Sequence, residues 1–206
     1  MVEQEQEVPD IKSYEVQEAD VKKYKWFEKA LLAAMKDQLP EEEADSRELV
    51  VMVLGAGRGH LVKVVLAMSE RSNRRVKVIA VESELGASIS LENLHLELSW
   101  GDTVRIVPSL GLIPPASDQD QVDIIVTELT EFELSAERLD QAKKFLKDGG
   151  VCIPSSQITY IAPLQSSKLH HQLQDSYEAN PRKDPVSAYE SLYKVKPRVG
   201  SRKIFS

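Results

Sequence analysis

The 206-residue sequence predicts an α/β fold in which a mostly parallel sheet is wound by helices on both faces. Strand-like and helix-like segments alternate between residues 49 and 154, which is typical of parallel strands joined by helical crossovers. Leu49–Leu54 is a continuous apolar run, which indicates a strand covered on both faces. A glycine-rich segment follows it directly, where folds of this class bind ligands. These observations favour one ligand-binding α/β domain with short additional segments.

The N-terminal part is acidic and leads into one helix. Residues 1–12 are rich in Glu and Gln, a composition typical of disorder. From Asp20 onward, apolar residues recur at spacings of three and four, which predicts an amphipathic helix. We therefore expect residues 1–48 to form an acidic segment and a helix that precede the sheet.

The sheet elements follow in order. The apolar runs predict five strands, at Leu49–Leu54, Val76–Val81, Val104–Val107, Val122–Val126 and Val151–Ile153. Helical spacing predicts the helices Leu61–Met68, Ala87–Leu98 and Ser135–Leu146. The residues Asp148-Gly149-Gly150 are interpreted as a stop and turn before the fifth strand. We expect residues 49–154 to form the α/β domain, and residues 155–206 to open a second, β-rich unit.

Composition excludes several classes of protein. The longest uncharged apolar run, residues 49–55, is too short to cross a bilayer, and the acidic N-terminus does not resemble a secretory signal. The single cysteine, Cys152, cannot form an internal disulfide or a cysteine zinc site. We expect a cytoplasmic or nuclear protein that does not associate with membranes.

The charge distribution along the chain indicates which kinds of partner it can bind. Residues 1–48 carry a net charge of −7, residues 49–180 carry −5 and residues 181–206 carry +5. A DNA-binding protein normally gathers cations on its main surface, so direct DNA binding is not expected. A basic protein or peptide is a natural partner for the acidic part.

The glycine-rich segment is the first candidate for chemistry. Residues 55–59 read Gly-Ala-Gly-Arg-Gly between a predicted strand and a predicted helix, where glycines allow a sharp turn and close approach of a ligand. The spacing is G-x-G-x-G, and His60 stands where a dinucleotide-binding G-x-G-x-x-G loop has its third glycine. The shorter form suits S-adenosyl-L-methionine (SAM), which has no pyrophosphate, and disfavours a nicotinamide dehydrogenase.

Two carboxylate positions follow strand ends. Glu82 lies 27 residues after Gly55, at the end of the second strand, where an acid can accept the hydroxyls of a ribose. The alternative is a solvated strand-end carboxylate. Glu128 ends the fourth strand, with Glu133 close behind, and two carboxylates there could hold a guanidinium and localise its charge. From the residues alone, a guanidinium site and an acidic loop that binds no substrate are equally favoured. No histidine or cysteine spacing predicts a metal site.

Several stretches together resemble the catalytic part of the type II protein arginine methyltransferases. The resemblance runs from about Tyr14 to about Leu169. Its specific stretches are Tyr14–Val16, Lys23–Tyr24, Val53–Gly59, Ala80–Glu82, Leu91–Asn93, Asp123–Val126, Glu133–Ser135, Phe145–Asp148 and Ala162–Pro163. It implies a Rossmann-like SAM-dependent methyltransferase domain, followed by part of a C-terminal β-barrel in residues 155–206.

The resemblance also implies roles for individual residues. Those expected to bind the methyl donor are Tyr14, Lys23 and Tyr24 from an N-terminal lid, Gly55, Gly57, Arg58 and Gly59 from the glycine loop, and Glu82 at the ribose. The expected catalytic residues are Glu128 and Glu133, which stand where the family has a two-glutamate loop for the substrate arginine. Expected substrates are proteins with Arg-Gly-rich or basic segments, such as histones and RNA-binding proteins.

Four departures from the family pattern bear on activity. The two-glutamate loop is shortened, Leu110-Gly111 replaces an adenine-contacting pair, and Gln17 replaces a phenylalanine linked to the symmetric product. The N-terminal TIM barrel and most of the β-barrel are expected to be missing. The sequence is therefore interpreted as a truncated or divergent arginine methyltransferase of impaired activity. The alternative is a non-catalytic SAM-binding or interaction module. Exposed edges of the partial barrel predict a homo-oligomer or a partner subunit.

Overall fold

The computed structural model describes residues 18–108, 121–128 and 141–156, together with residues 167, 168, 170, 171, 174 and 175. Its five strands are all parallel and lie in the order β3-β2-β1-β4-β5. Their bounds are β1 Leu49–Leu54, β2 Val76–Glu82, β3 Val104–Pro108, β4 Val122–Thr127 and β5 Leu146–Ile153. The strand order reverses between β1 and β4, as in Rossmann-like folds. The predicted α/β class is confirmed.

Three α-helices are described in full, and all pack on one face of the sheet. They are α1 Val21–Gln38, α2 His60–Ser72 and α3 Leu85–Glu97. The helix expected from Asp20 is confirmed as α1, and Asp20 is its N-cap, accepting the Lys23 N–H at 3.1 Å. The periodic residues Tyr24, Phe27, Leu31 and Met35 are buried. Their burial fixes α1 against the sheet.

Alternate residues of the central strand supply both layers of the core. Val51 and Val53 pack on the face that carries α1, α2 and α3. Met52 and Leu54 pack on the opposite face with Phe145, which follows the helical residues 141–143. All four strand residues are fully buried. This explains why the strand is a continuous apolar run rather than an alternating one.

The fifth strand begins earlier than the sequence predicts. We expected a strand from Val151 after a turn, but β5 already begins at Leu146 and includes the predicted stop. Val122 pairs with Leu146 and Ile124 with Val151, so β5 carries extra residues that bulge from the ladder. The bulge contains Gly149 at φ 80°, whose carbonyl accepts the Gln38 side-chain amide at 2.8 Å. The glycines therefore permit an irregular strand instead of ending the preceding helix.

Buried Asp123, near the beginning of β4, joins several elements. Its carboxylate accepts the Val50 N–H at 2.8 Å, and it forms ion pairs with Arg47 at 3.0 Å and Lys147 at 2.9 Å. The side chain is only 4% exposed. Burial alone raises the pKa of Asp123, but the Val50 N–H and the two cations outweigh it, so that the pKa lies below its ordinary value. This carboxylate connects β1, β4 and β5.

The chain divides into a first compact unit that runs through Ser156 and a second that begins at Gln157. All the strands and helices above belong to the first unit. The few described residues of the second unit, at positions 167, 168, 170, 171, 174 and 175, are helical. The predicted domain boundaries at residues 48 and 154 stay predictions. Within the described ranges, no helix is long and apolar enough to cross a membrane.

Candidate functional site

The glycine loop connects β1 to α2 at the carboxyl end of the sheet. Gly55, Gly57 and Gly59 have φ angles of 69°, 53° and 93°, a backbone region that side-chain-bearing residues rarely adopt. A Cβ atom on Gly59 would also lie 2.8 Å from side-chain atoms of both Leu91 and Leu94. Gly59 therefore has to be glycine because α3 packs directly against the loop.

Glu82, the last residue of β2, connects that strand to the glycine loop. One carboxylate oxygen accepts the Gly57 N–H at 2.6 Å, and the other accepts the N–H groups of Ser83 and Glu84, both at 2.8 Å. The residue is 5% exposed. A carboxylate offers about four acceptor positions, so one remains on the oxygen that faces Gly57. The ribose binding expected of Glu82 stays a prediction.

Glu128 follows β4 directly and is held by two side chains of α1. Lys23 forms an ion pair with it. The Tyr24 hydroxyl lies 2.8 and 2.9 Å from the two carboxylate oxygens of Glu128 and donates a hydrogen bond to them. Burial and the negative charge of Glu128 raise the pKa of Tyr24, so the phenol remains protonated. Two residues predicted to bind the donor thus contact a residue predicted to bind arginine.

Arg58, the cation of the glycine loop, is also paired. Its Nε and Nη2 atoms lie 3.2 and 2.5 Å from the two carboxylate oxygens of Glu18, a bidentate arrangement. Both side chains are about one quarter exposed, at 28% and 25%. Sequence reasoning missed Glu18, because the two residues are 40 positions apart and no periodicity connects them.

His60, the first residue of α2, is a second residue of the site that sequence reasoning missed. Its ring centroid lies 4.1 Å from that of Tyr24. Burial and nearby Lys63 lower the pKa of His60, which keeps the imidazole neutral at pH 7. Its place directly after the glycine loop was the available signal, but in the sequence that position indicated only that a dinucleotide site is disfavoured.

The structure thus brings together part of the predicted site. Lys23, Tyr24 and Glu128 form one contact group, and Gly57 with Glu82 forms another. Tyr14 and Glu133 lie outside the described residues, as do Gln17, the pair Leu110-Gly111 and the barrel edge around residues 158–164. The catalytic role expected of Glu133 therefore stays a prediction.

Comparison with known proteins decides the family. A family model described as PRMT5 arginine-N-methyltransferase matches residues 6–153. The chain belongs to the PRMT5 arginine-N-methyltransferase family. This confirms the resemblance that the sequence motifs predicted.

Relatives extend the match over most of the chain. Protein arginine N-methyltransferase 5 of Xenopus laevis is 39% identical over 188 residues, which cover 89% of this chain and 29% of the relative. The protein of the same name in Oryza sativa subsp. indica is 36% identical over 191 residues, 91% of this chain and 28% of the relative. The chain spans less than a third of the length of these PRMT5 relatives.

Among solved structures, the chain is similar to a putative S-adenosyl-L-methionine-dependent methyltransferase from Methanococcus maripaludis. The TM-score is 0.49 at 17% identity, with 74% of this chain and 65% of that chain covered.

Proposed function

We propose that this PRMT5-family chain binds SAM and transfers its methyl group to an arginine ω-nitrogen of protein substrates. The observation that carries the proposal is the position of Glu128. Thr127 pairs with Leu54 across the ladder between β4 and β1, so Glu128 and Gly55 leave the sheet side by side. A carboxylate and a glycine loop therefore lie together at the switch point, where such sheets bind ligands.

The described residues fit the donor. Glu82 retains one acceptor position beside Gly57 for a ribose hydroxyl. Lys23 and Arg58 are cations that match the donor's carboxylate, and the positive φ angles of the glycine loop let a ligand approach the main chain. Tyr14 is proposed to complete this site from the N-terminal segment.

Glu128 is the proposed catalytic residue on the acceptor side. Its two oxygens can hold a guanidinium in a bidentate pair and draw the positive charge away from the attacking nitrogen. The bound donor would supply the methyl group: the nitrogen lone pair forms the new C–N bond, the C–S electron pair passes to sulfur, and one N–H proton is lost to water. Glu133 is proposed as the second carboxylate.

Charge supports basic protein substrates. The chain carries a net charge of −7, which attracts cationic segments such as Arg-Gly-rich tracts. Histones and RNA-binding proteins present such segments in the nucleus and cytoplasm, where we propose that the chain acts. A homo-oligomer or a partner subunit is proposed to complete the substrate groove.

One observation favours a second function, a non-catalytic SAM-binding module. Glu128 is neutralised by Lys23 and hydrogen-bonded by Tyr24, so its carboxylate is occupied without a substrate. If that pairing persists when the donor is bound, the chain can bind SAM but has no free carboxylate at this position for an arginine.

Two measurements on the 206-residue chain test the proposal. Calorimetric titration with SAM should show binding, and radiolabelled SAM should transfer its methyl group to an Arg-Gly-rich peptide. Glu128→Gln should reduce transfer by about 10²-fold or more and keep SAM binding, whereas the exposed control Glu92→Gln should keep both. Binding without transfer supports the non-catalytic module, and absence of SAM binding contradicts both functions.

A further inference from the structure

Two cations of the site are each paired with a carboxylate of the same chain, Lys23 with Glu128 and Arg58 with Glu18. We infer that the carboxylate of the bound donor draws Lys23 and Tyr24 away from Glu128 and thereby creates the arginine-binding site. This inference rests on the proposed function and adds an order to it, in which the donor binds before the arginine.

The first step concerns charge. Lys23 and Glu128 form a pair without net charge, so a guanidinium gains little by approaching it. Lys23 also occupies the carboxylate oxygen that a bidentate guanidinium needs, and two cations on one carboxylate repel each other. Arginine and Lys23 therefore compete for Glu128.

The second step is that the donor offers Lys23 another partner. Arg58, the cation of the glycine loop, is already held by the two oxygens of Glu18. Lys23 is instead paired with Glu128, the carboxylate proposed to bind arginine. A donor carboxylate beside the loop can accept from the Lys23 ammonium and the Tyr24 hydroxyl. Glu128 then presents a full negative charge to a guanidinium.

The third step is that Lys23 can leave Glu128 without movement of its helix. The side chains of Lys23 and Glu128 are 23% and 15% exposed, so water can solvate them during the exchange. Lys23 lies in the first turn of α1, where the Asp20 cap holds its main-chain N–H. The flexible lysine stem can swing while the helix stays in place.

The test is calorimetric titration of an Arg-Gly-rich peptide into the 206-residue chain in three states. The states are the chain alone, the chain saturated with S-adenosylhomocysteine, and the chain saturated with decarboxylated S-adenosylhomocysteine, which keeps the amine but lacks the carboxylate. We expect S-adenosylhomocysteine to raise peptide affinity about 5- to 150-fold, the usual range of coupling between sites. The decarboxylated ligand should leave peptide affinity unchanged.

The variant Lys23→Met should bind the peptide more tightly, a gain that structural damage would not produce. In Lys23→Met, Glu128 loses its competing cation, so the peptide should bind the donor-free chain more tightly than it binds wild type. The enhancement by S-adenosylhomocysteine should shrink at the same time. The matched control Lys22→Met removes an exposed lysine of the same helix and should behave as wild type.

The outcomes separate the inference from the proposed function. If S-adenosylhomocysteine binds but peptide affinity stays the same, or if both ligands raise it equally, the inference is wrong and the proposed function stands. If Lys23→Met weakens peptide binding in the donor-free chain, the inference is also wrong. If S-adenosylhomocysteine does not bind, or the peptide binds in none of the three states, the proposed function and the inference both fall.

Discussion

Strand β4 carries an acidic residue near each end, and the two carboxylates are held in opposite ways. Asp123, near its beginning, is 4% exposed and accepts a main-chain N–H from β1 besides its two cations. Glu128, directly after its end, is 15% exposed, and the partners described for it are the side chains of Lys23 and Tyr24. Both are paired with a lysine, but only Asp123 is bonded to the main chain of a neighbouring strand.

The difference separates structure from function. A main-chain partner cannot leave without disturbing the sheet, so Asp123 is part of the architecture. Side-chain partners can rotate away, so Glu128 can exchange its contacts for a ligand. Burial adds to the contrast, because an unpaired charge costs far more free energy in the core than near water.

The largest expected effect is on folding. Asp123→Ala should lower the free energy of unfolding by about 3–5 kcal/mol, because it leaves Arg47, Lys147 and the Val50 N–H without their shared acceptor. Urea unfolding monitored by circular dichroism measures this loss. The exposed control Asp148→Ala should change the unfolding free energy by less than about 0.5 kcal/mol. Equal losses in the two variants would contradict the assigned role of Asp123.

Acid titration tests whether the ionised form of Asp123 is what stabilises the fold. The pKa of Asp123 in the folded chain lies below the ordinary value of 3.8, so the folded state binds this proton less readily than the unfolded state. Its contribution to stability is therefore fully present above pH 3.8 and lost as the pH falls below 3.8 through the folded pKa. Unfolding free energies of wild type and Asp123→Asn should converge over that interval. A constant difference would show that the ionised form is not what stabilises the fold.

At the other end of β4, a substitution should spare the fold and remove activity. Glu128→Gln should reduce methyl transfer by about 10²-fold or more, a loss typical of removing one charge-stabilising group. Stability should change by no more than about 1 kcal/mol, because the Lys23–Glu128 pair is near the surface. Parallel transfer assays and urea titrations check both values. Loss of stability comparable to that of Asp123→Ala would remove the contrast between the two carboxylates.

Glu82 is an intermediate case, since it is buried and bonded to the main chain but also lies at the proposed donor site. Glu82→Ala should weaken SAM binding by about 1.5–3 kcal/mol for one lost charge-assisted hydrogen bond. Calorimetry provides the affinity, and a thermal melt of the ligand-free chain measures how much the loop depends on the Gly57 contact. Unchanged SAM affinity in this variant would exclude Glu82 from the donor site.

The smallest effect concerns His60. Its pKa is lowered in the folded chain, so the unfolded chain binds this proton more readily. Stability should therefore fall as the pH drops below 6.5 towards the folded pKa, and it should be unaffected by this group above 6.5. His60→Gln should flatten that part of the stability profile between pH 5 and 7. A profile identical to wild type would show that another group titrates there.

Much of the fold follows from the sequence because the information is local. The apolar run of Leu49–Leu54, the spacing of three and four in α1 and the glycines after β1 each describe their own segment. A buried parallel strand has to be apolar on both faces, and a left-handed backbone favours glycine, so these patterns predict their structures directly. Glu82 could be placed at the end of β2 because it directly follows the apolar run of that strand.

Tertiary structure alone decided which charges meet. Lys23 and Glu128 are 105 residues apart, and Arg58 and Glu18 are 40 apart, so no local pattern connects them. The bulge that takes Gly149 into β5 likewise depends on pairing with β4. Periodicity reports which face of a segment is apolar, but it does not report which polar ends the packed sheet brings together. The sequence therefore determined the fold and the loop, whereas packing determined that the proposed arginine-binding carboxylate is paired with a lysine of the proposed donor site.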